Sequence, residues 1–216
     1  MLIAGVDEAG RGPCLGPLVI GVVVIEKQDE EKLVEIGAKD SKQLTKDQRE
    51  AQFEPIKAAA VEYGTIHIEA NELDTLMDRK SLNEIEAMKI GELLNRLQHK
   101  PEIVFIDSPD PIASAFGKRI QKYLSFSCKL RTEHKADINY PVCSAASVLA
   151  KVERDNAISQ IAAQNGSIGS GYSHDPQTIA FLSDFVTTHN SLPVFCRHKW
   201  ETSQRFLNNR RQTKLF

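Results

Sequence analysis

The sequence of 216 residues has little of several features that assign a chain quickly to a class. No apolar run approaches the ~18 residues of a membrane-spanning helix, so an integral membrane protein is not expected. Its four cysteines include no C-x-x-C pair, which predicts neither a disulfide framework nor a zinc site. The N-terminal MLIAGVDEAG has no basic segment before its apolar residues and is no secretory signal. We therefore expect a cytoplasmic protein with reduced thiols.

Several catalytic motifs are missing as well. No G-K-[ST] phosphate-binding loop and no G-x-S-x-G nucleophile elbow occur in the chain. Gly10-Arg11-Gly12 is not a dinucleotide fingerprint, because Leu15 stands where the third glycine belongs. The six histidines are scattered along the sequence. These absences argue against an ATPase, a dinucleotide-dependent enzyme and a serine hydrolase.

The formal net charge of −2 hides an uneven distribution. Residues 1–117 carry 13 basic and 22 acidic side chains, a net charge of −9, whereas residues 118–216 carry 14 and 7, a net charge of +7. A basic half is typical of a chain that binds a polyanion. Attraction between two oppositely charged halves explains the same pattern, so composition leaves both interpretations open.

Strands and helices are predicted in an order typical of an α/β domain with a mixed sheet and a helical C-terminal portion. Apolar or alternating runs predict strands at Leu2–Val6, Pro17–Ile25, Val61–Glu69, Ile103–Ile106 and Cys128–Thr132. Capping boxes at Thr45 and Ser81 predict helix starts, with Pro55 ending or kinking the first of these helices. Further helices are expected at Pro111–Leu124, Val142–Gln164, Pro176–His189 and Glu201–Asn209, and the charged segment Glu26–Lys42 is expected to hold a short helix and a loop.

Carboxylates stand at the ends of three separate elements. Asp7 and Glu8 close the first strand, Asp107 ends another strand, and Asp137 precedes the long helix, whose dipole favours an ionised acid. If these ends meet, four acids repel one another and need cations. Hard carboxylate oxygens suit Mg²⁺ or Mn²⁺. Two such ions about 3.5–4 Å apart support phosphodiester hydrolysis by activating water and stabilising the leaving oxygen.

Five stretches of the sequence resemble the motifs of type 2 ribonucleases H, and most closely ribonuclease HII of the archaeal type. In order, they are VDEAGRGPCLGPLV, KDSKQLT, VFIDS, EHKADINYPVCSAASVLAKVERD and GSGYSHDP. The resemblance extends from residue 1 to about residue 200. It implies a ribonuclease H-like fold, a mixed five-stranded sheet flanked by helices with a helical C-terminal extension. We expect a catalytic domain over residues 1–190 and a basic helix and tail over residues 191–216.

The resemblance also implies an activity. Members of this family cleave the RNA strand of RNA–DNA hybrids, and they cleave duplex DNA 5′ to a single embedded ribonucleotide, leaving a 3′-hydroxyl and a 5′-phosphate. Such an enzyme serves DNA replication and ribonucleotide excision repair. The family's four catalytic carboxylates, which hold two Mg²⁺ or Mn²⁺ ions, fall on Asp7, Glu8, Asp107 and Asp137. Asp7 is the expected bridging ligand.

Ribose recognition in the family uses the Gly-Arg-Gly turn and a loop tyrosine, which match Gly10, Arg11, Gly12 and Tyr172. The family loop usually reads Gly-Tyr-Pro-Ser-Asp-Pro, whereas this chain reads GYSHDP. The missing proline predicts a less firmly held Tyr172 ring and a weaker preference for the ribose–deoxyribose junction.

Other substrate contacts are expected on basic and polar side chains. Ser144, Ser147 and Lys151 share one face of the long helix, which either contacts phosphates or is merely solvated. Lys42 matches a family position near the substrate backbone. A basic C-terminal segment is expected to bind duplex DNA through counterion release, with Arg197, Lys199, Arg205, Arg210, Arg211 and Lys214 against the single acid Glu201.

The partners and the rival functions complete the expectations. Residues 212–216 (QTKLF) resemble a sliding-clamp-binding peptide that lacks its second aromatic residue, and the length of the chain fits a monomer. The rivals are another metal-dependent nuclease of the same superfold, a catalytic subunit that needs partners, and a non-catalytic hybrid-binding module. The last is disfavoured because all four acids are present.

Overall fold

The structure is a computed structural model that describes residues 1–38 and 44–213, with the side chains of the last helix described up to residue 208. The strands are β1 (Leu2–Ala9), β2 (Leu18–Glu26), β3 (Glu62–Ile68), β4 (Ile103–Asp107) and β5 (Lys129–Glu133). The helices are α1 (Glu30–Glu35), α2 (Lys46–Ala59), α3 (Ala70–Leu76), α4 (Leu82–Arg96), α5 (Ala113–Gln121), α6 (Ala136–Asn139), α7 (Pro141–Asn165), α8 (Pro176–His189) and α9 (Glu201–Thr213). None of the described helices is long and apolar enough to cross a membrane.

The five strands form one mixed sheet in the order β3-β2-β1-β4-β5. β1 runs antiparallel to β2 and parallel to β4, which is in turn parallel to β5. The apolar run of β2 is buried along almost its whole length, as expected for a strand covered on both faces. The expected fold class, a mixed five-stranded sheet flanked by helices, is confirmed.

The contacts divide the chain into two compact units. The first unit contains Met1–Ala9, Val19–His67 and Ser81–Glu153, and the second contains Gly10–Leu18, Ile68–Lys80 and Arg154–Phe216. The sheet and the first part of α7 dominate the first unit, whereas α8 and α9 belong to the second. None of the division points falls at residue 190, and the boundary expected there stays a prediction.

Each unit has its own apolar core. In the first unit, side chains of β1, β2 and β4 pack with the buried face of α7, including Ile3, Val23, Phe105, Val142 and Leu149. In the second unit, a cluster of aliphatic and cysteine side chains joins α8 to the preceding loops, including Cys14, Ile168, Leu182, Val186 and Cys196. All four cysteines of the chain are free thiols.

Two local features differ from the sequence-based expectation. β1 does not stop at Val6, because Asp7 and Glu8 continue the antiparallel ladder opposite Gly21 and Ile20. Both acids therefore lie within the strand, which ends at Ala9.

Helix α2 begins at the predicted capping box but passes through its proline. Thr45 and Gln48 exchange both hydrogen bonds of the box. Pro55 lies inside the helix and does not end it, because the helix continues to Ala59. The proline removes one backbone donor, and the carbonyl that loses it belongs to the exposed Ala51, where water can bind.

The backbone of α7 lies directly against the sheet because two strand residues have no side chain. A Cβ atom on Gly5 of β1 would lie 2.2 Å from the backbone carbon of Val142. A Cβ on Gly21 of β2 would lie 2.6 Å from the carbonyl oxygen of Ala146. Glycine at these positions permits a backbone approach that any other residue would prevent.

We predict that Gly5→Ala lowers the free energy of unfolding by about 3 kcal/mol, since overpacking against a rigid helix backbone costs roughly that much. Urea denaturation followed by circular dichroism measures it. The matched control is Gly64→Ala in β3, where the nearest atom to an added Cβ is Leu93 Cδ1 at 3.5 Å. Equal effects of the two substitutions would contradict the close approach described above.

Candidate active site

Two neighbouring strands place Asp7 and Asp107 side by side. β1 and β4 are parallel, with Val6 opposite Ile106, and each aspartate is the next residue of its strand. Residues at the same register point to the same face of a sheet. The two carboxylates therefore leave the sheet on one face and at one level.

A short helix brings Asp137 to the same place. Lys135 adopts the left-handed conformation at φ 60°, which turns the chain from β5 into α6. The backbone N–H of Ala136 then donates to Asp107 Oδ1 over 2.9 Å, which ties the start of α6 to the end of β4. Asp137 thus lies in the first turn of α6 and not directly before the long helix. An extended Tyr140, the conformation favoured before a proline, separates α6 from α7.

Three carboxylates form one cluster. One oxygen from each of Asp7, Asp107 and Asp137 lies within 4.8 Å of the others. Asp7 and Asp137 are buried, and Asp107 is half-buried. Glu8, the next residue of β1, is not among the three acids of this cluster, and its role as a metal ligand stays a prediction. Its backbone N–H nevertheless donates to Asp7 Oδ1 over 2.8 Å.

Burial and like charge raise the energy of the ionised acids. The pKa of Asp7 is raised to about 7, mainly by burial and further by the charges of Asp107 and Asp137. Hydrogen bonds from the Ser147 hydroxyl and from the Glu8 backbone act in the opposite direction. Burial, with the charge of Asp7 next, also raises the pKa of Cys143 well above its ordinary value. This thiol stays protonated, so it offers no nucleophile.

The donor set fits a hard divalent cation. Carboxylate oxygens are the ligands that Mg²⁺ and Mn²⁺ prefer. An octahedral shell with bonds of about 2.1 Å places opposite oxygens about 4.2 Å apart, close to the size of this cluster. A cation among the three acids would also offset the repulsion that raises the pKa of Asp7. Asp7, Asp107 and Asp137 can therefore hold a metal ion.

The predicted polar face of α7 is not a solvated surface. Ser144 and Ser147 are buried, and Lys151 is half-buried. The hydroxyl of Ser147 is bonded to Asp7, so support of that carboxylate fits its position better than a phosphate contact. Sequence spacing identified the face but not this bond. Contact of Lys151 with substrate stays a prediction.

The glycine turn and Tyr172 meet within the second unit. The turn begins one residue after β1, with Gly10 at φ 84°. The backbone N–H groups of Cys14 and Leu15 donate to the Gly171 carbonyl over 2.8 and 3.2 Å, which joins the turn to the tyrosine loop. A Cβ on Gly12 would lie 3.7 Å from the Tyr172 ring. The structure therefore brings together the residues expected to recognise ribose.

Other contacts hold the tyrosine loop where the family's proline is missing. The guanidinium carbon of Arg154 lies 5.1 Å from the centre of the Tyr172 ring, and the His174 ring lies 5.3 Å away. Asp175 accepts hydrogen bonds from the backbone N–H groups of Ser170 and Gln177. These bonds, led by that from Ser170, lower the pKa of Asp175 to about 2. The strength of the junction preference stays a prediction.

The basic C-terminal segment is less available to DNA than its composition indicates. Arg197 is fully buried and donates to the carbonyls of Gly16 and Arg11, so its expected contact with DNA is wrong for this conformation. Lys199 pairs with Asp78, and Arg205 pairs with Glu201. The side chains of residues 210 and 211, together with Lys42 and residues 214–216, lie outside the described residues.

The chain matches known proteins along nearly its whole length. A family model described as Ribonuclease HII matches residues 4–203. A ribonuclease HII from Pyrococcus furiosus is 44% identical over 202 residues, which cover 94% of this chain and 89% of the relative. The crystal structure of the ribonuclease H2 from Pyrococcus horikoshii OT3 has a TM-score of 0.93 at 40% identity, covering 98% of this chain and 100% of that chain. The structure of the PCNA:RNase HII complex from Archaeoglobus fulgidus matches with a TM-score of 0.85 at 35% identity, covering 93% and 96%.

The matches in sequence and in fold include the residues of the site described above. Each match extends over both units, including the acid cluster and the tyrosine loop. The chain belongs to the ribonuclease HII family, and it is a ribonuclease H-type hydrolase of phosphodiester bonds.

Proposed function

We propose that this ribonuclease H cleaves the RNA strand of RNA–DNA hybrids and also cuts duplex DNA 5′ to a single embedded ribonucleotide, leaving a 3′-hydroxyl and a 5′-phosphate. The observation that supports hydrolysis is the cluster of Asp7, Asp107 and Asp137, with oxygens within 4.8 Å of one another. Recognition of ribose is proposed for Gly10, Arg11, Gly12 and Tyr172.

The proposed cofactor is a pair of Mg²⁺ or Mn²⁺ ions, which when bound supply water activation and neutralise charge at the scissile phosphate. Asp7, Asp107 and Asp137 would hold them, and Glu8 is proposed as a further ligand. Ser147 and the Glu8 backbone orient the Asp7 carboxylate, since both donate to it. The chain's own part is therefore to hold the three acids side by side and aligned until cations and substrate arrive.

Ribose recognition has a plausible chemical basis in the second unit. A 2′-hydroxyl both donates and accepts hydrogen bonds, so backbone groups of a glycine turn can recognise it. The exposed Gly12 and the half-buried Arg11 leave the turn open to solvent. An aromatic ring packs well against a deoxyribose that lacks the hydroxyl, and Tyr172 lies beside the turn. Phosphate contacts are proposed for Lys42 and Lys151.

The central prediction concerns the position of the cut. An end-labelled DNA duplex with one ribonucleotide is incubated with Mg²⁺, Mn²⁺ or EDTA, and the products are mapped on a sequencing gel. We expect one cut 5′ to the ribonucleotide, only with metal, and a product that a polymerase extends. Asp7→Asn is expected to lower the rate at least about a thousandfold while hybrid binding survives, because metal sites contribute several kcal/mol to the transition state.

The controls separate this function from its rivals. An all-DNA duplex of the same sequence must stay intact, since another nuclease of the superfold would cut it. Asp184→Asn removes an exposed carboxylate on α8 and is expected to cleave normally. Near-normal turnover by Asp7→Asn, or cleavage in EDTA, would reject the proposed site.

Metal binding is predicted to appear in thermal melting without any substrate. At 100 times its Kd, a ligand stabilises the folded state by about 2.7 kcal/mol, which corresponds to a shift of about 5–10 °C for a chain of this size. Differential scanning fluorimetry with Mn²⁺ should show that shift for the wild type. Asp7→Asn should melt higher than the wild type in EDTA, because it removes a buried charge from a like-charged cluster, and should respond little to Mn²⁺. An equal Mn²⁺ shift in both proteins would place the metal elsewhere.

We also propose that residues 212–216 bind a sliding clamp, as a ribonuclease HII from Archaeoglobus fulgidus forms a complex with PCNA. The segment begins in the last turn of α9, and residues 214–216 lie outside the described residues. We predict that deletion of residues 210–216 abolishes retention on an immobilised sliding clamp, and that Phe216→Ala, which keeps the basic residues of the segment, leaves hydrolysis without the clamp unchanged. Phe216→Ala should act like the deletion in the retention assay. Retention of both variants would contradict the proposal.

A further inference from the structure

Two arginines of the second unit are buried beneath the glycine turn and the tyrosine loop. Arg154 is 6% exposed and Arg197 is 0% exposed. Burial, and next the positive charge of Arg154, lower the pKa of Arg197 to about 10, so Arg197 stays charged at neutral pH. Burying like charges close together costs folding free energy. The hydrogen bonds that the two side chains donate to backbone carbonyls offset part of this cost.

Arg197 fixes the turn through the main chain. Its Nε donates to the Gly16 carbonyl over 2.9 Å, and its Nη1 donates to the Arg11 carbonyl over 3.2 Å. Its guanidinium carbon lies 4.8 Å from the centre of the Trp200 ring. The backbone N–H of Arg197 also donates to the Cys14 carbonyl over 2.9 Å. Arg197 thus holds the chain from Arg11 to Gly16 at three carbonyl groups.

Arg154 contacts the tyrosine side of the same surface. Its Nη2 donates to the Ser170 carbonyl over 2.5 Å, two residues before Tyr172, and its guanidinium carbon lies over the Tyr172 ring at 5.1 Å from the ring centre. Its Cγ lies 3.2 Å from the position that a Cβ on Gly10 would occupy. One side chain therefore contacts the glycine turn, the loop backbone and the aromatic ring.

The contacts of Arg154 require the shape of a guanidinium. A planar group stacks on a ring while its edge donates hydrogen bonds, whereas a lysine ammonium can make only the point contact. The Nε of Arg154 is buried without a hydrogen-bond partner among the described residues, so hydrogen bonding alone does not account for the whole group. A lysine ammonium could lie over the ring or donate to Ser170, but it could not do both at once as the planar guanidinium does.

We propose that Arg154 is a positioning residue for ribose recognition: it holds the Tyr172 ring against the glycine turn and so sets the preference for a ribose–deoxyribose junction over a continuous RNA strand. The inference rests on the proposed role of Tyr172.

The test compares kcat/KM on two substrates, a DNA duplex with one ribonucleotide and an RNA–DNA hybrid. Arg154→Lys keeps the charge but loses the planar group that contacts Ser170 and the ring together, so it is expected to lower kcat/KM roughly tenfold more on the first substrate than on the second. In a Tyr172→Ala background the same substitution should not change the ratio further. Arg96→Lys on the exposed surface of α4, where the arginine pairs with Glu92, is the matched control and should leave both values unchanged.

A second measurement, ¹⁹F NMR, reports on the environment of the Tyr172 ring and needs no activity assay. The chain has four tyrosines, so 3-fluorotyrosine labelling gives four ¹⁹F signals, and Tyr172→Phe identifies one of them. Arg154→Lys should shift or broaden that signal alone, and the other three signals show that the fold is intact.

The outcomes separate the inference from the function on which it rests. Equal losses on the two substrates, an unchanged Tyr172 signal, or a selectivity loss that persists with Tyr172→Ala would each overturn the positioning role. If the wild type fails to cut at ribonucleotides, or if Tyr172→Ala leaves the ratio unchanged, the proposed function fails in that respect. The ¹⁹F signal still decides in either case whether Arg154 holds the ring.

Discussion

The site of the first unit depends on one constraint, which is the repulsion among three clustered carboxylates, two of them buried. Asp7 and Asp107 are adjacent because two parallel strands are in register, and Asp137 joins them because α6 is bonded to the end of β4. Left alone, these charges oppose folding, as the raised pKa of Asp7 indicates. Each supporting contact, from the Ser147 hydroxyl to the Glu8 backbone, stabilises a carboxylate in a position that burial disfavours.

Helix α7 contacts both the sheet and the carboxylate cluster. Gly5 and Gly21 let the helix backbone lie on the strands, and the helix then presents Ser147 to Asp7. A bulkier residue at either glycine would move the helix away and leave the acid without its hydroxyl donor. Stability and site geometry therefore depend on the same two residues. The second unit depends on different contacts, because buried guanidinium groups there donate hydrogen bonds to backbone carbonyls.

Much of this arrangement could be predicted from the sequence, because its signals are local. Apolar runs bounded by turn residues indicated all five strands, and capping boxes at Thr45 and Ser81 indicated helix starts that the structure confirms. The acids stood out because each follows an apolar strand or precedes a helix. The short helices α3 and α6 were missed, since four to seven residues are too few to show a period and neither begins with a side-chain cap.

What the sequence could not show depends on long-range contacts. The bond between Ser147 and Asp7 joins residues 140 positions apart. Arg197 was expected to bind DNA as part of the basic C-terminal segment, but its side chain is buried. Charge counted along the chain does not distinguish a guanidinium in solvent from one bonded to carbonyl groups. Arg154 lies in a stretch quoted for its family resemblance, yet its stacking on Tyr172 required coordinates.

The hydrogen bonds of Arg197 can form only late in the synthesis of the chain. They join its side chain to Arg11 and Gly16, main-chain partners more than 180 positions earlier. A chain emerging from the ribosome has synthesised all three clustered acids once Asp137 is made, while the residue that fixes the turn is still to come. Domains fold as units during synthesis. The last segment of the first unit, which ends at Glu153, is therefore synthesised before Arg197, and the contacts that fix the loop from Arg11 to Gly16 are among the last that the chain can form.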